Sequence, residues 1–319
     1  MQPCVPHRGS MQFWPRKRSK HVVARVRTWV SEKKAKPLGF IAYKAGMTHL
    51  LVEDNYAKSL TKGEQVARAV TILECPPLSV IGVSFYRKSI LGWKKLGQVL
   101  AKNVSKEVLR CSPLPKNNTK TIESITEFDD LRLLVQSHPE KTANGAKKPH
   151  LLEVALGGSK EEKLAYAKEN LGKEISISSV FTNGSLIDVK GITIGKGFQS
   201  TVKRFGTPLR HHKTEKSRRG IGTLGPWHPN RILYTVAQPG KMGFHTRTEY
   251  NKQILKIGDN GQDVTPQSGI QRYGQVRNSY LLVKGSVVGP RKRAVILTPA
   301  LRPFKKLAKE APEITYISK

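Results

Sequence analysis

The chain has 319 residues, and its 56 Lys and Arg stand against 23 Asp and Glu, a formal net charge of +33. Such self-repulsion opposes a compact state unless a polyanion neutralises it, and no run approaches the roughly 18 apolar residues of a spanning helix. A membrane partner is therefore excluded and nucleic acid leads, while three scattered cysteines (Cys4, Cys75 and Cys111) argue against a disulfide framework and for a reducing compartment.

In chain order, residues 1–36 hold ten Lys and Arg and one acid, Glu32, and predict an extended basic arm. Its start lacks the apolar stretch of a signal peptide. Cys4 and His7 have metal-like spacing, but no second Cys/His pair completes the four ligands zinc requires. From Leu38 the texture turns to short β-rich runs: LGFIAY (38–43), THLLVE (48–53) and VARAVTILEC (66–75), with KAGM (44–47) predicted as a hairpin turn. Similar runs return as SLIDVKGITI (185–194), YLLVKGSVV (280–288) and RAVILTP (293–299). Six such strands predict a small closed barrel, because closure removes exposed sheet edges.

The barrel is split in sequence, occupying 37–76 and 179–300. Between its halves, 77–178 predicts an α+β insertion with strands at 79–86, 131–137 and 150–156. SKEEKLAYAKENLG (159–172) predicts a helix, with Ser159 and Glu162 spaced as a capping box, Leu164, Ala167 and Leu171 on one face, and Gly172 as the stop. The insertion carries 11 of the 23 acids and is expected to face away from nucleic acid, at least in part. Residues 301–319 are left as a tail.

The barrel also carries a long excursion at 195–256, rich in Gly, Pro, Lys and Arg, with few strand signals; such a stretch inside a domain signals function or disorder. Its opening GITIGKGFQ lacks the Gly-Lys-Ser/Thr ending of a phosphate loop, since Phe198 follows Gly197. His211, His212, His228 and His245 could serve acid–base catalysis, yet the region offers only Glu215 and Glu249 to orient them, so hydrogen bonding and stacking on RNA is the better reading. Cations cluster as Arg16, Lys17, Arg18 and Lys20 in the arm, and as Lys203, Arg204, Arg210, Lys213, Lys216, Arg218 and Arg219 in the excursion. Arg8, Lys196, Arg231 and Arg247 extend the same candidate RNA-binding set.

Trp227, set in KSRRGIGTLGPWHPNR, has too few apolar neighbours for a core and is expected to meet RNA, whereas Trp14 fits RNA contact and local packing equally. Tyr234, in RILYTVA, is expected on a short packed strand. RNA is favoured over DNA because no helix-turn-helix, homeodomain, zinc finger or basic zipper is visible.

PRKRSK (15–20), GFIAYKAGMTHL (39–50), GITIGKGFQSTVKRFG (191–206), IGTLGPWHPNR (221–231), GKMGFHTRTEYNKQI (240–254) and YLLVKGSVVGPRKR (280–293) together resemble the L3 family of large-subunit ribosomal proteins, in its archaeal and eukaryotic form. The resemblance covers nearly the whole chain and is weakest from about 90 to 178. It implies a mainly β protein with an α+β insertion: a six-stranded Greek-key barrel of the translation-protein type, with long basic N-terminal and internal-loop extensions. It also implies large-subunit ribosomal RNA and neighbouring large-subunit proteins as partners, a cytoplasmic place in the ribosome, a role in early subunit assembly, and no enzymatic activity, cofactor, metal or small-molecule substrate. The loop-tip tryptophan that approaches the peptidyl transferase centre in that family matches Trp227, and the inward-running arm matches Gly9 to Lys20.

Overall fold

The structure is a computed structural model that describes residues 9–115, 121–125, 127–304 and 310–319. Cys4, His7 and Arg8 lie outside the described residues. The chain divides into two compact units: Met1–Val22 with Ile192–Arg247, and Val23–Gly191 with Thr248–Lys319.

The larger unit is built on two antiparallel sheets. Its strands are β1 (Phe40–Glu53), β2 (Gln65–Glu74), β3 (Leu78–Ser89), β4 (Gly92–Leu100), β5 (Asp130–Gln136), β6 (Leu151–Ala155), β7 (Glu174–Ile175) and β8 (Leu186–Ile192). After two short strands of the smaller unit, β9 (Phe198–Gln199) and β10 (Gly240–Lys241), come β11 (Thr246–Gly258), β12 (Tyr280–Lys284), β13 (Ala294–Pro299) and β14 (Ile314–Ile317). Six of them close a ring of paired neighbours in the order β1, β2, β12, β11, β8, β13 and back to β1, with β14 added against the far half of β1.

The count of six matches expectation, but its membership does not. KAGM is no turn. Ala45 is fully buried, and the register with β2 steps from Lys44↔Leu73 to Gly46↔Ile72, so one extra residue makes a bulge and the two predicted strands are one. A bulge bends its strand. Residues 40–43 of β1 pair with β13, and residues 50–52 with β14.

The place left vacant is taken by β11, inside the stretch expected to be an irregular loop. Its sequence TRTEYNKQILKIG buries only Gln253, Ile254 and Leu255, so a mostly polar strand gave no periodic signal. β12 shows the opposite case: Leu281 and Val283 enter one core cluster while Tyr280 and Leu282 enter the other. A strand buried on both faces reads as an unbroken apolar run, here YLLV.

The second sheet runs β4, β3, β5, β6, with β7 also on β3. The three strands expected there are present, and β4 and β7 are additional. Helix α1 (Lys160–Asn170) has the expected capping box: the Ser159 hydroxyl accepts from the Glu162 amide, and the Glu162 carboxylate accepts from the Ser159 amide. Ala167 is buried, Leu164 and Leu171 pack on the core, and Gly172 ends the helix at φ +82°. One apolar cluster runs through both sheets, from Phe40 and Val295 of the ring to Phe85 and Leu133.

Residues 23–36 belong to this unit rather than to a detached arm. Ala24 and Val26 are buried, Trp29 packs on the core, and the Glu32 and Lys36 carbonyls accept from the amides of Gly158 and Gly157 at 2.8 and 3.0 Å.

Candidate nucleic-acid interface

The smaller unit joins arm residues 9–22 to residues 192–247. Its base is zipped by main-chain bonds: Thr193 donates to the His245 carbonyl at 3.0 Å, and Lys196 and Met242 donate at 2.9 Å to Met242 and Gly197 respectively. β9 and β10 continue the pairing. The glycines here serve this ladder: Gly243 sits at φ +75°, where a Cβ would lie 2.0 Å from the Ile194 oxygen. The Lys196 amide is thus engaged in the ladder. A short helix α2 (Thr201–Phe205) follows, ended by Gly206 in the left-handed region.

The arm docks on this base. Ser19 donates to the Phe244 carbonyl at 2.8 Å, and Nδ1 of His245 donates to the Lys17 carbonyl at 2.8 Å. The Arg16 guanidinium donates to the Arg204 carbonyl, while Arg204 donates to the carbonyls of Arg16 (3.3 Å), Gln238 (2.9 Å) and Lys241 (3.2 Å). Phe205, buried, is the common platform: Trp14 meets it edge-on at 5.0 Å, and Arg16 and Arg204 lie 4.1 and 5.1 Å from its ring centroid. Arg18 over Phe244 (4.8 Å) and Arg247 over Phe13 (4.6 Å) repeat the motif.

The candidate residues therefore fall into two groups. Arg16, Arg204, Arg210 and Arg247 are half-buried and His245 is 7 % exposed, so these side chains help to build the unit. Arg210 donates to the Ile221 carbonyl at 2.8 Å. Burial pushes the His245 imidazole below its ordinary value, partly offset by its bond to Lys17; nearby Arg247, Arg204 and Arg16 lower it further. Burial likewise lowers Arg16, Arg204 and Arg247. Trp14 is partly buried against Phe205, which supports local packing.

Lys17, Arg18, Lys20, Lys196, Lys203, Lys213, Lys216, Arg218, Arg219 and Arg231 are exposed, as are His211, His212 and His228. The rings of His211 and His212 lie 4.1 Å apart. Trp227 is 83 % exposed. Tyr234, expected on a packed strand, lies in a turn, across which the Val236 amide donates to the Leu233 carbonyl at 3.1 Å, and is 72 % exposed. Sequence reading passed over Lys241, exposed on β10, and the role of Phe205 and Phe244 as platforms for arginine; for Phe205 the adjoining Arg204 in KRFG was the available signal.

The electrostatics are one-sided. The unit contains 16 Lys and Arg and a single acid, Glu215, and no ion pair between described residues falls within it. Among the described residues there is no cluster of three or more potential metal ligands, and no helix is long and apolar enough to cross a membrane.

The model of the family described as Ribosomal protein L3 matches residues 2–126 and 116–319. Among curated proteins, the large ribosomal subunit protein uL3 of Methanocaldococcus jannaschii is 44% identical over 322 residues, 98% of this chain and 96% of its own length. The uL3 proteins of Methanococcus vannielii and Methanothermobacter thermautotrophicus are 45% and 44% identical, each over 98% of this chain and 96% of their own lengths. With the family matched along nearly every residue, and relatives of this identity end to end, the chain belongs to the ribosomal protein L3 family.

Proposed function

We propose that the chain is a structural constituent of the large ribosomal subunit, working in the cytoplasm within the ribosome, that binds large-subunit ribosomal RNA and supports early subunit assembly. The names of its relatives support the place in the large subunit. The observation that carries RNA binding is the smaller unit: its sequence holds 16 cations against one acid, with no ion pair among its described residues, a charge that an external polyanion neutralises. Exposed Lys and Arg release condensed counterions from phosphates, and the arginine fork also stacks on bases.

In this reading the arm and the loop enter folded RNA as one preassembled element. The loop tip, with Trp227 facing outward, extends toward the peptidyl transferase centre. The ring of strands is a Greek-key barrel docked on RNA, the insertion at 77–178 faces at least in part away from the RNA, and the protein contributes structure rather than catalysis. The test is a salt-matched competition in which the full chain binds large-subunit RNA transcripts and duplex DNA. Preference for the RNA, with log K falling linearly in log salt, supports the reading; equal affinity for both at physiological salt overturns it.

A further inference from the structure

The second sheet ends in a hairpin whose tip is apolar. β3 and β4 pair from Gly82↔Leu100 to Ser89↔Gly92, so only Ile90 and Leu91 lie between the last partners. Ser89 and Gly92 suit the outer places of a tight turn, and polar residues or glycine usually fill its centre. Here the centre is two aliphatics, both fully exposed, followed along β4 by Trp93 and Leu96, which are exposed as well. Turn formation does not call for them, and water is an unfavourable surrounding for them.

The stem beneath this tip is anchored and its charges are partly answered. The Asp129 amide donates to the Tyr86 carbonyl at 2.8 Å, and the Asp129 carboxylate accepts from the Lys88 amide at 2.7 Å. Glu127 pairs with Arg87, and Glu153 with Lys95. Lys88 and Lys94, exposed on the two strands, take part in no ion pair between described residues. The stretch RKSILGWKKL (87–96) holds no acid of its own.

A second observation is a free edge. Among the described residues β4 pairs with β3 alone, and residues 92–96 are exposed. Such an edge offers a row of main-chain donors and acceptors to an added strand. Trp93 also lines a cleft with Trp29, Leu38 and Leu156, where an incoming apolar side chain can lodge.

The chemistry selects the occupant. Aliphatic side chains have no π-face on which bases stack, nucleic acid cannot continue a β ladder, and Glu127, Asp129 and Glu153 beside the stem repel phosphate. A second copy would set Lys88 and Lys94 against cations like themselves, which is costly. We propose that the β3–β4 hairpin docks an extended acidic segment of a neighbouring protein in the subunit. The segment adds a strand to β4, covers Ile90, Leu91 and Trp93, and sets carboxylates against Lys88 and Lys94. The inference rests on the proposed function and gives the insertion a partner recognised by its own chemistry.

The test carries the full chain into large subunits. With the photo-reactive Leu91→p-benzoylphenylalanine, irradiation should join residue 91 to a protein, at a segment holding Asp or Glu. Ile90→Ser/Leu91→Asn keeps residues at home in turns, and its thermal midpoint as free chain should be unchanged. Amide exchange across 92–96 should be slower in wild-type subunits than in the free chain. The double variant should lose at least about tenfold of that slowing, since each fully buried aliphatic is worth roughly that much or more. Cross-links only to RNA or to a second copy, or none, overturn the proposal, as does exchange that assembly leaves unaltered. Undiminished cross-linking in Lys88→Glu/Lys94→Glu overturns the acidic partner. If the wild-type chain fails to sediment with large subunits, the proposed function fails instead.

Discussion

Arg16 and Arg204 each donate a guanidinium hydrogen bond to the main-chain carbonyl of the other across 188 residues of sequence, and both lie against the ring of Phe205. The pair fastens the arm to the excursion with cations that a phosphate-binding role alone would have left in solvent. Arg204→Ala removes its bonds to three carbonyls, and we expect the docking of arm on loop to weaken by about 1–3 kcal/mol, since bonds from charged donors are worth roughly that much. Amide hydrogen exchange at Ser19 and Met242 reads the change; unaltered protection there would refute the fastening role.

Phe205→Ala should cost the smaller unit about 3–5 kcal/mol, the usual loss for truncating a buried aromatic, because Trp14, Arg16 and Arg204 all rest on that ring. The ring of strands should melt as before. Limited proteolysis would then cut within residues 9–22 of the variant while sparing wild type.

Trp227→Ala should do the reverse. At 83 % exposure the side chain supports no core, so stability should stay within about 0.5 kcal/mol of wild type. Base stacking on an aromatic is worth about 1–3 kcal/mol, and RNA affinity measured by filter binding should fall accordingly. A large loss of stability with full affinity would reassign Trp227 to packing.

The docked arm should depend on pH through His245. Burial lowers its folded value below the ordinary 6.5, so the released state takes up a proton first. Docking is therefore complete above about pH 6.5 and weakens as pH falls below it. Exchange at the Ser19 amide between pH 8 and 5 checks the sign, and His245→Gln should flatten the profile.

Glu74→Ala leaves the Tyr273 hydroxyl, two amides and the Asn278 side chain without their acceptor. A buried donor left without its acceptor costs about 1–3 kcal/mol, to be read from the urea midpoint. Glu74→Gln keeps one oxygen and should lose less; equal losses would point to packing rather than hydrogen bonding.

Much of the fold was legible because its strands are buried on both faces or alternate cleanly, as YLLV at 280–283 and the capped helix at 160–170 do. β11 was not, since its burial is confined to three residues of thirteen. KAGM was misread because a bulge and a turn share small residues; only pairing on both sides of Ala45 separates them. In the candidate interface, residue types announced the charge. They did not announce that Arg16, Arg204 and His245 would turn inward, because that outcome depends on carbonyls contributed by distant segments.

The division of the smaller unit between two segments far apart in the chain also fixes a timetable. At ordinary synthesis rates of about 5–20 residues per second, roughly 10 to 40 s pass between the emergence of Arg16 and that of Arg204, 188 residues later. Throughout that interval the arm's guanidiniums have neither Phe205 nor their carbonyls to rest on. Any anion in the vicinity competes for them, and the arm reaches its folded place only by giving those anions up.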